Sequence, residues 1–224
     1  MTAGPEVGLL EGLATTRAIR RFRADPVSEE DLAAIFFGAT RAPSGSNRQP
    51  FRFLVLRDGP RAQEARSLLG GAFREAWAVK AAADGYAEDD GSRRARTARA
   101  LQQFVEGFED VPVVVLACLA RYRAPHPTEG ASVYPACQNL LLAARARGLG
   151  GVLTMWHAGV EDELRALLGI PDGVAIAATL AVGHPEGGHG PVRRRPLREL
   201  VYEDAWEQPA PWAEDPPGTR FTKG

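Results

Sequence analysis

The sequence predicts a single domain, residues 1–224, built from both helices and strands. A chain of 224 residues is long enough to bury one sizeable core. Short β-branched runs, most clearly residues 111–118, predict strands. Longer stretches with apolar residues three or four positions apart predict helices. The two kinds of element alternate, so the pattern alone leaves open both an α+β arrangement and a doubly wound sheet.

Composition excludes several classes of protein. The net charge is −1, which argues against nucleic acid or an anionic membrane as a partner, despite local arginine clusters. No apolar stretch approaches the roughly 20 residues that cross a bilayer, and the acidic N-terminus does not resemble a signal peptide. Cys118 and Cys137 lie in apolar runs and are expected to be buried free thiols. We find no metal-ligand spacing and expect no metal, and we expect a cytoplasmic location.

The first half of the chain predicts two helices and a strand around a polar loop. Residues 7–16 form a helix pattern with leucines on one face, and residues 17–23 carry dense positive charge. Ser28 suits the N-cap of a helix over residues 29–40, with Asp31 in the capping-box position. Residues 42–50 combine two prolines with small polar residues and cannot continue either neighbour. A strand follows over residues 51–57.

The second half alternates helices with strands. Residues 59–103 predict two helices separated by a polar break at 86–92, and Phe104 and Phe108 are expected in the core. The run Gly148-Leu149-Gly150-Gly151 follows a helix, so it reads as a C-cap and not as a phosphate loop. The remaining predictions are strands at 111–118, 152–156 and 175–183, helices at 132–147 and 159–168, and an extended C-terminal arm at 204–224.

Two features could bind a ligand. Arg17 and Arg20 form either a solvated surface at a helix end or a phosphate clamp, because guanidinium groups bind phosphate in a bidentate way. Residues 42–50 form either an ordinary connector or a loop that hydrogen-bonds the edge of a flat polar ligand. Residues 193–195 repeat the basic theme.

Together these motifs resemble those of the FMN-dependent nitroreductase superfamily. The stretch Thr16-Arg17-Ala18-Ile19-Arg20-Arg21-Phe22 is similar to the family's Arg-Arg-Ser-x-Arg-x-Phe-like opening. Residues 42–51 are similar to its Ala-Pro-Ser-x-x-Asn-x-Gln-Pro-Trp loop. The chain departs from the family at Ala18 (usually serine), at Phe51 (tryptophan) and at Val192 (often lysine), where Arg193 or Arg195 could compensate.

The resemblance implies an α+β fold with a mostly antiparallel sheet of four or five strands. It also implies an intertwined homodimer with FMN sites at the interface, in which the helix over 132–147 is central. The region 59–110 would form part of the wall or lid of the substrate channel. The implied FMN-binding residues are Arg17, Ala18, Ile19, Arg20, Pro43, Ser44, Gly45, Ser46, Asn47, Gln49, Leu153, Thr154, Met155 and Arg194.

The function implied by the resemblance is an FMN oxidoreductase. NAD(P)H would reduce the flavin and leave, and a nitroaromatic, a quinone or another small electrophile would then be reduced in a ping-pong cycle. No catalytic side chain is apparent, in keeping with chemistry carried by the cofactor. Either Met155 or Thr154 would lie nearest flavin N5. Two alternatives remain: a specialised biosynthetic dehydrogenase, dehalogenase or flavin-fragmenting enzyme of the same family, and a non-enzymatic flavin store or sensor.

Overall fold

The structure, a computed structural model, describes residues 7–86 and 91–221. Within those ranges four strands and six α-helices follow one another. The strands are β1 (Phe51–Leu56), β2 (Val113–Ala120), β3 (Gly150–Thr154) and β4 (Val174–Gly183). The helices are α1 (Leu9–Thr15), α2 (Glu29–Ala39), α3 (Pro60–Ala83), α4 (Arg93–Glu106), α5 (Tyr134–Ala146) and α6 (Glu161–Leu168).

A single antiparallel sheet runs through the middle of the protein, in the strand order β1-β2-β4-β3. β2 pairs with β1 from Phe51↔Leu119 onwards and with β4 across one register shift. β1 and β3 form the two edges. The expected α+β class with an antiparallel sheet is therefore confirmed, and the doubly wound alternative is wrong.

Both faces of the sheet are covered, which explains why its central strand is apolar throughout. Val114, Leu116 and Cys118 of β2 point into a cluster formed with α3, α4 and α6. The intervening β2 residues point the other way, into a cluster formed with α2 and α5. Because strand side chains alternate between faces, burial on both sides requires an unbroken apolar run.

The predicted start of α2 is confirmed. The Ser28 hydroxyl accepts a hydrogen bond from the Asp31 N–H (3.0 Å) and donates one to the Asp31 carboxylate (2.8 Å). Arg147, just after α5, binds the same carboxylate at 2.7 Å. Desolvation of Asp31 acts in the opposite direction, but the hydrogen bonds from Ser28 and Arg147 hold its pKa below the usual value.

The glycine run before β3 is only partly a helix cap, which corrects the sequence prediction. Gly148 has the left-handed backbone of a cap, with φ of 74°. Gly150 and Gly151 instead begin β3, where a Cβ would lie 2.6 Å from a side-chain carbon of Ile19 and 2.7 Å from the Ala181 carbonyl oxygen, respectively. Both residues are therefore glycine because neighbouring chain segments pack directly against them.

Other element boundaries differ by a few residues. β2 begins after Pro112, which has no N–H to donate to a ladder, and β3 ends at Thr154, so Met155 and Trp156 lie outside it. α5 begins at Tyr134 with Pro135 in its first turn. Its buried side chains pack inside the chain's own core, so a central role for α5 in a subunit interface stays a prediction.

The two ends of the described chain leave large apolar side chains in solvent. The leucine face predicted for α1 is exposed, with Leu10 at 80%. Trp206 and Trp212, beyond β4, are 81% and 64% exposed. The domain boundary and the extended arm stay predictions, and residues 1–6, 87–90 and 222–224 lie outside the described ranges. In the part of the chain that is described, no helix combines the length and the apolarity required to cross a membrane.

Candidate functional site

A cleft of about 1000 Å³ opens at the corner of the sheet where β3 begins and β4 ends. Eight arginines line it: Arg17, Arg20, Arg21, Arg96, Arg99, Arg193, Arg194 and Arg220. No aspartate or glutamate is among the described residues of this lining. The cleft is therefore strongly electropositive and suits an anionic ligand.

Backbone hydrogen bonds bring two distant segments together at this cleft. The Ile19 N–H bonds the Gly151 carbonyl (2.9 Å), which places the first basic segment along the outer edge of β3. The Glu186 and Gly190 N–H groups bond the Arg21 and Thr15 carbonyls, each at 3.1 Å. The segment after β4 is thus paired with residues 15–21, and Arg194 reaches the same cleft as Arg17 and Arg20.

Arg20 is a half-buried cation without a counter-ion among the described residues. Desolvation lowers the pKa of its guanidinium group, and no described residue forms an ion pair or hydrogen bond with it. Arg17 donates to the Gly188 carbonyl (2.6 Å), and Arg194 donates to the Arg193 carbonyl (2.9 Å). Each guanidinium carries five N–H donors, so this cluster retains the capacity to bind a phosphate in a bidentate way. We call Arg17, Arg20 and Arg194 the phosphate cluster.

The remaining basic residues of the segment after β4 divide into two groups. Arg193 lines the cleft beside Val192. Arg195 instead pairs with Glu199 at 3.0 Å and does not line it. Of the two residues expected to compensate for the absent lysine at position 192, only Arg193 is in place to do so.

The polar loop before β1 is folded into a strained and self-bonded shape. Ser46, Asn47 and Gln49 have φ of 52°, 51° and 49°, a region that non-glycine residues occupy at a cost of roughly 1–2 kcal/mol each. The Ser44 hydroxyl accepts a hydrogen bond from the Gln49 N–H (2.9 Å), and the Gln49 amide donates to the Asn47 side chain (3.2 Å). Strain held in place by local bonds is typical of ligand-binding loops.

The loop does not meet the arginine cleft within one chain. It enters β1 at Phe51, at the end of the sheet opposite the start of β3. The length of β2 separates these ends by roughly 20 Å at about 3.4 Å per residue, and β1 and β3 are opposite edges. The expected residues Arg17, Ala18, Ile19, Arg20 and Arg194 therefore come together, whereas Pro43, Ser44, Gly45, Ser46, Asn47 and Gln49 lie at the diagonally opposite corner.

Leu153, Thr154 and Met155 follow the outer edge of β3 away from the cleft. In an antiparallel strand the N–H and C=O groups of one residue face the same side, and the side alternates along the chain. Because the Gly151 carbonyl faces Ile19, away from β4, the backbone groups of Leu153 also face outward. The Thr154 hydroxyl accepts a hydrogen bond from the Trp156 N–H (3.3 Å), and the Met155 side chain is 44% exposed.

Other reactive side chains lie elsewhere. Cys118 and Cys137 are buried free thiols, as expected, and desolvation raises their pKa values to about 11 and about 12, so neither is a thiolate at neutral pH. His126 is exposed and bonds Thr128. Among the residues that are described, no group of His, Cys, Asp and Glu has the arrangement of a metal site.

Sequence reasoning missed the arginines of α4. Arg96, Arg99, Ala100 and Gln103 all line the cleft, with the i, i+3, i+4, i+7 spacing of one helix face. That spacing was visible in the sequence, but only the fold shows which structure the face meets.

Comparison with known proteins points in one direction. A sequence model of the Nitroreductase family matches residues 13–184. The chain is 34% identical over 203 residues to a Thermus thermophilus protein described as NADH dehydrogenase, covering 83% of this chain and 90% of that one. It is 31% identical over 184 residues to the 5,6-dimethylbenzimidazole synthase of Rhodospirillum rubrum, covering 77% and 80%. The structure is similar to that of an FMN and NADPH-dependent nitroreductase from Sphigopyxis sp. strain HMH, with a TM-score of 0.67, 26% identity, and 89% and 100% of the chains covered.

Proposed function

The chain belongs to the Nitroreductase family, and from that premise we propose that it is an FMN-dependent oxidoreductase. It takes hydride from NAD(P)H and reduces a small electrophile, such as a nitroaromatic or a quinone, in a ping-pong cycle. The observation that carries the proposal is the phosphate cluster, above all the half-buried Arg20 that has no partner among the described residues.

The residues of the cleft fit the phosphate end of FMN. A phosphate monoester carries about −1.5 to −2 charges at neutral pH, and the phosphate cluster offers three guanidinium groups from two segments of the chain. Arg17, Arg20 and Arg194 would hold this phosphate. Bidentate bonds would restore to Arg20 the hydrogen bonding that it loses on burial.

The outer edge of β3 fits the ring end. It leads away from the phosphate cluster and presents the backbone N–H and C=O groups of Leu153. These groups would orient the polar edge of the ring, and Met155 would cover part of it. When bound, the flavin supplies the hydride acceptor and donor. The protein contributes binding, orientation and exclusion of water.

The polar loop completes the site in a homodimer. A twofold axis can bring diagonally opposite corners of two identical subunits together, because every contact of residue i with residue j of the partner is then repeated as j with i. The loop and the arginine cleft lie at diagonally opposite corners of the sheet, which supports a dimer in which each loop reaches the partner's cleft. Ser44, Ser46 and Asn47 would then hydrogen-bond the ring held by the partner, and the strained loop would need little reorganisation to do so.

The visible spectrum of the purified protein tests this proposal. We expect flavin bands, or their appearance after reconstitution with FMN, and their loss when NADH or NADPH is added without oxygen. Parallel double-reciprocal lines with nitrofurazone or menadione would establish the ping-pong order. A protein that stays colourless after incubation with FMN would overturn the proposal. Flavin that neither nucleotide bleaches would instead indicate a store or sensor.

A second candidate follows from the similarity to 5,6-dimethylbenzimidazole synthase. In that case the flavin itself would be the substrate and would be consumed in the presence of oxygen. The two functions separate cleanly in one experiment, in which flavin absorbance is followed through repeated cycles of reduction and aeration. Full recovery of the bands in each cycle supports the oxidoreductase. Stoichiometric loss of flavin supports the fragmenting enzyme.

A further inference from the structure

We propose that Arg48, Tyr122 and Arg123 form an acceptor subsite that selects aromatic electrophiles carrying a carboxylate or a similar anionic group. This inference rests on the proposed function, because it takes the polar loop of one subunit to lie against the flavin held by its partner. It adds a substrate class to that function. The nitro group of such an acceptor would take a hydride, with both electrons, from the reduced flavin and a proton from solvent, release one oxygen as water and become a nitroso group.

The polar loop and the segment that follows β2 form one continuous surface. We call residues 121–133, which join β2 to α5, the β2–α5 connection. At its start the Ala120 N–H donates to the Pro50 carbonyl (2.8 Å), and near its end the Ser132 hydroxyl accepts a hydrogen bond from the Gly45 N–H (3.4 Å). A ligand that reaches the polar loop therefore also comes close to this connection.

A tyrosine on the connection brings two arginines together. The Tyr122 ring is 56% exposed. Arg48 of the polar loop lies over it, with the guanidinium carbon 4.4 Å from the ring centroid, and Arg123 approaches it at 5.3 Å. The ring also borders a small hollow of about 40 Å³ beside Pro50. Because cation–π contacts restrict both long side chains, the two guanidinium groups are held close together before a ligand binds.

The two guanidinium groups keep their hydrogen-bond donors for a ligand. Neither Arg48 nor Arg123 forms an ion pair or a side-chain hydrogen bond with a residue that the structure describes. Glu129 is nearby, but Arg121 binds it through hydrogen bonds of 3.0 and 2.7 Å, which are the main reason that the pKa of Glu129 is low. A guanidinium that contacts an aromatic face can still bind a carboxylate through its N–H edge.

The position of Arg48 favours the acceptor as the ligand. Arg48 directly follows Asn47, which would hydrogen-bond the partner's flavin ring, and adjacent Cα atoms are only about 3.8 Å apart. The phosphate cluster would hold the other end of the cofactor, so Arg48 would meet a molecule that exchanges electrons with the ring. Tyr122 adds an exposed aromatic surface for stacking. An aromatic ring with an anionic substituent matches both features.

The two half-reactions of the flavin distinguish an acceptor site from a donor site, since NADPH is also anionic. Flavoprotein reduced without oxygen would be mixed with 4-nitrobenzoate or with neutral 4-nitrobenzyl alcohol, and the return of flavin absorbance gives the rate constant. We expect Arg48→Gln and Arg123→Gln each to lower the rate constant for 4-nitrobenzoate about tenfold, as the loss of one charge-assisted contact implies. The rate constant for the alcohol, and reduction by NADH and NADPH, should stay close to wild type.

The matched control is Arg41→Gln. Arg41 also lies over an exposed ring, that of Phe37 (4.8 Å), but it does not border the hollow beside Tyr122. This variant should keep both rate constants. Because Arg48 belongs to the strained loop, the FMN affinity of each variant would be measured first. If Arg48→Gln loses FMN, Arg123→Gln, which lies outside the loop, decides the outcome.

Several results would overturn the inference. These are unchanged rate constants for 4-nitrobenzoate, equal losses for the charged and the neutral acceptor, an equal effect in Arg41→Gln, or a loss confined to reduction by NADH and NADPH, which would assign the arginines to the donor. A protein without flavin would defeat the proposed function. A flavoprotein that reduces nitroaromatics without regard to their charge in wild type and variants alike would defeat only this inference.

Discussion

Replacing Arg20 with glutamine should weaken flavin binding and, at the same time, stabilise the flavin-free protein. A charged bidentate contact to a phosphate contributes about 1.5–3 kcal/mol, so we expect the dissociation constant of FMN to rise about 10- to 150-fold. In the absence of the ligand, Arg20 is a half-buried cation whose pKa is lowered by desolvation and which has no partner among the described residues. Removing it should raise stability by up to about 1 kcal/mol, or roughly 2–4 °C in Tm for a chain of this size.

Two measurements on the same preparations test the predicted loss of FMN affinity and the predicted gain in stability of the apoprotein. Fluorescence quenching of free FMN gives the dissociation constant, and calorimetry of the apoprotein gives Tm. Arg23→Gln is the matched control, because Arg23 is exposed, pairs with Asp25 (2.8 Å) and does not line the cleft; both quantities should stay close to wild type. An apoprotein that is less stable without Arg20, or an unchanged affinity for FMN, would refute the assignment of Arg20 to the phosphate.

Three further predictions concern the scaffold. Burial lowers the pKa of His157, so as the pH falls below about 6.5 the unfolded chain binds this proton before the folded protein does. The free energy of unfolding should therefore decrease by up to about 1.4 kcal/mol per pH unit. The urea midpoint of the wild type should be lower at pH 5.5 than at pH 7.5, and this difference should shrink in His157→Gln. The Arg66 guanidinium donates to four backbone carbonyls, so Arg66→Met should cost about 3–5 kcal/mol in urea unfolding, whereas exposed Arg61→Met on the same helix should change little. A Cβ at Gly38 would lie 2.8 Å from the neighbouring helix, so Gly38→Ala should lower stability by about 1–3 kcal/mol, while Gly71→Ala, with open space around it, should raise it by up to about 1 kcal/mol.

The sequence was sufficient to predict those features of the fold that depend on residues close together in the chain. Ser28 caps α2 as expected, because the cap depends only on residues 28–31, which are adjacent in the sequence. The central strand was recognisable because burial on both faces demands an apolar run. Gly150 and Gly151 were misassigned because the reason for each glycine lies far along the chain, in Ile19 and in Ala181. The cleft-facing arginines of α4 were overlooked for the same kind of reason, since an exposed basic helix face looks alike whether it meets water or a ligand.

A mixing experiment tests whether the polar loop of one chain contributes to the FMN site of the partner subunit. The two variants to be mixed are Arg20→Gln and Asn47→Ala. Before mixing, the homodimer of either variant has two defective sites. If the loop serves the partner's cleft, a mixed dimer has one site with both defects and one that is fully native. Random exchange makes half of the dimers mixed, so an equimolar mixture should recover about a quarter of the wild-type tight FMN sites. If loop and cleft instead met within one chain, every site would keep one defect and mixing would recover none. The diagonal placement of the loop and the cleft across the sheet predicts recovery.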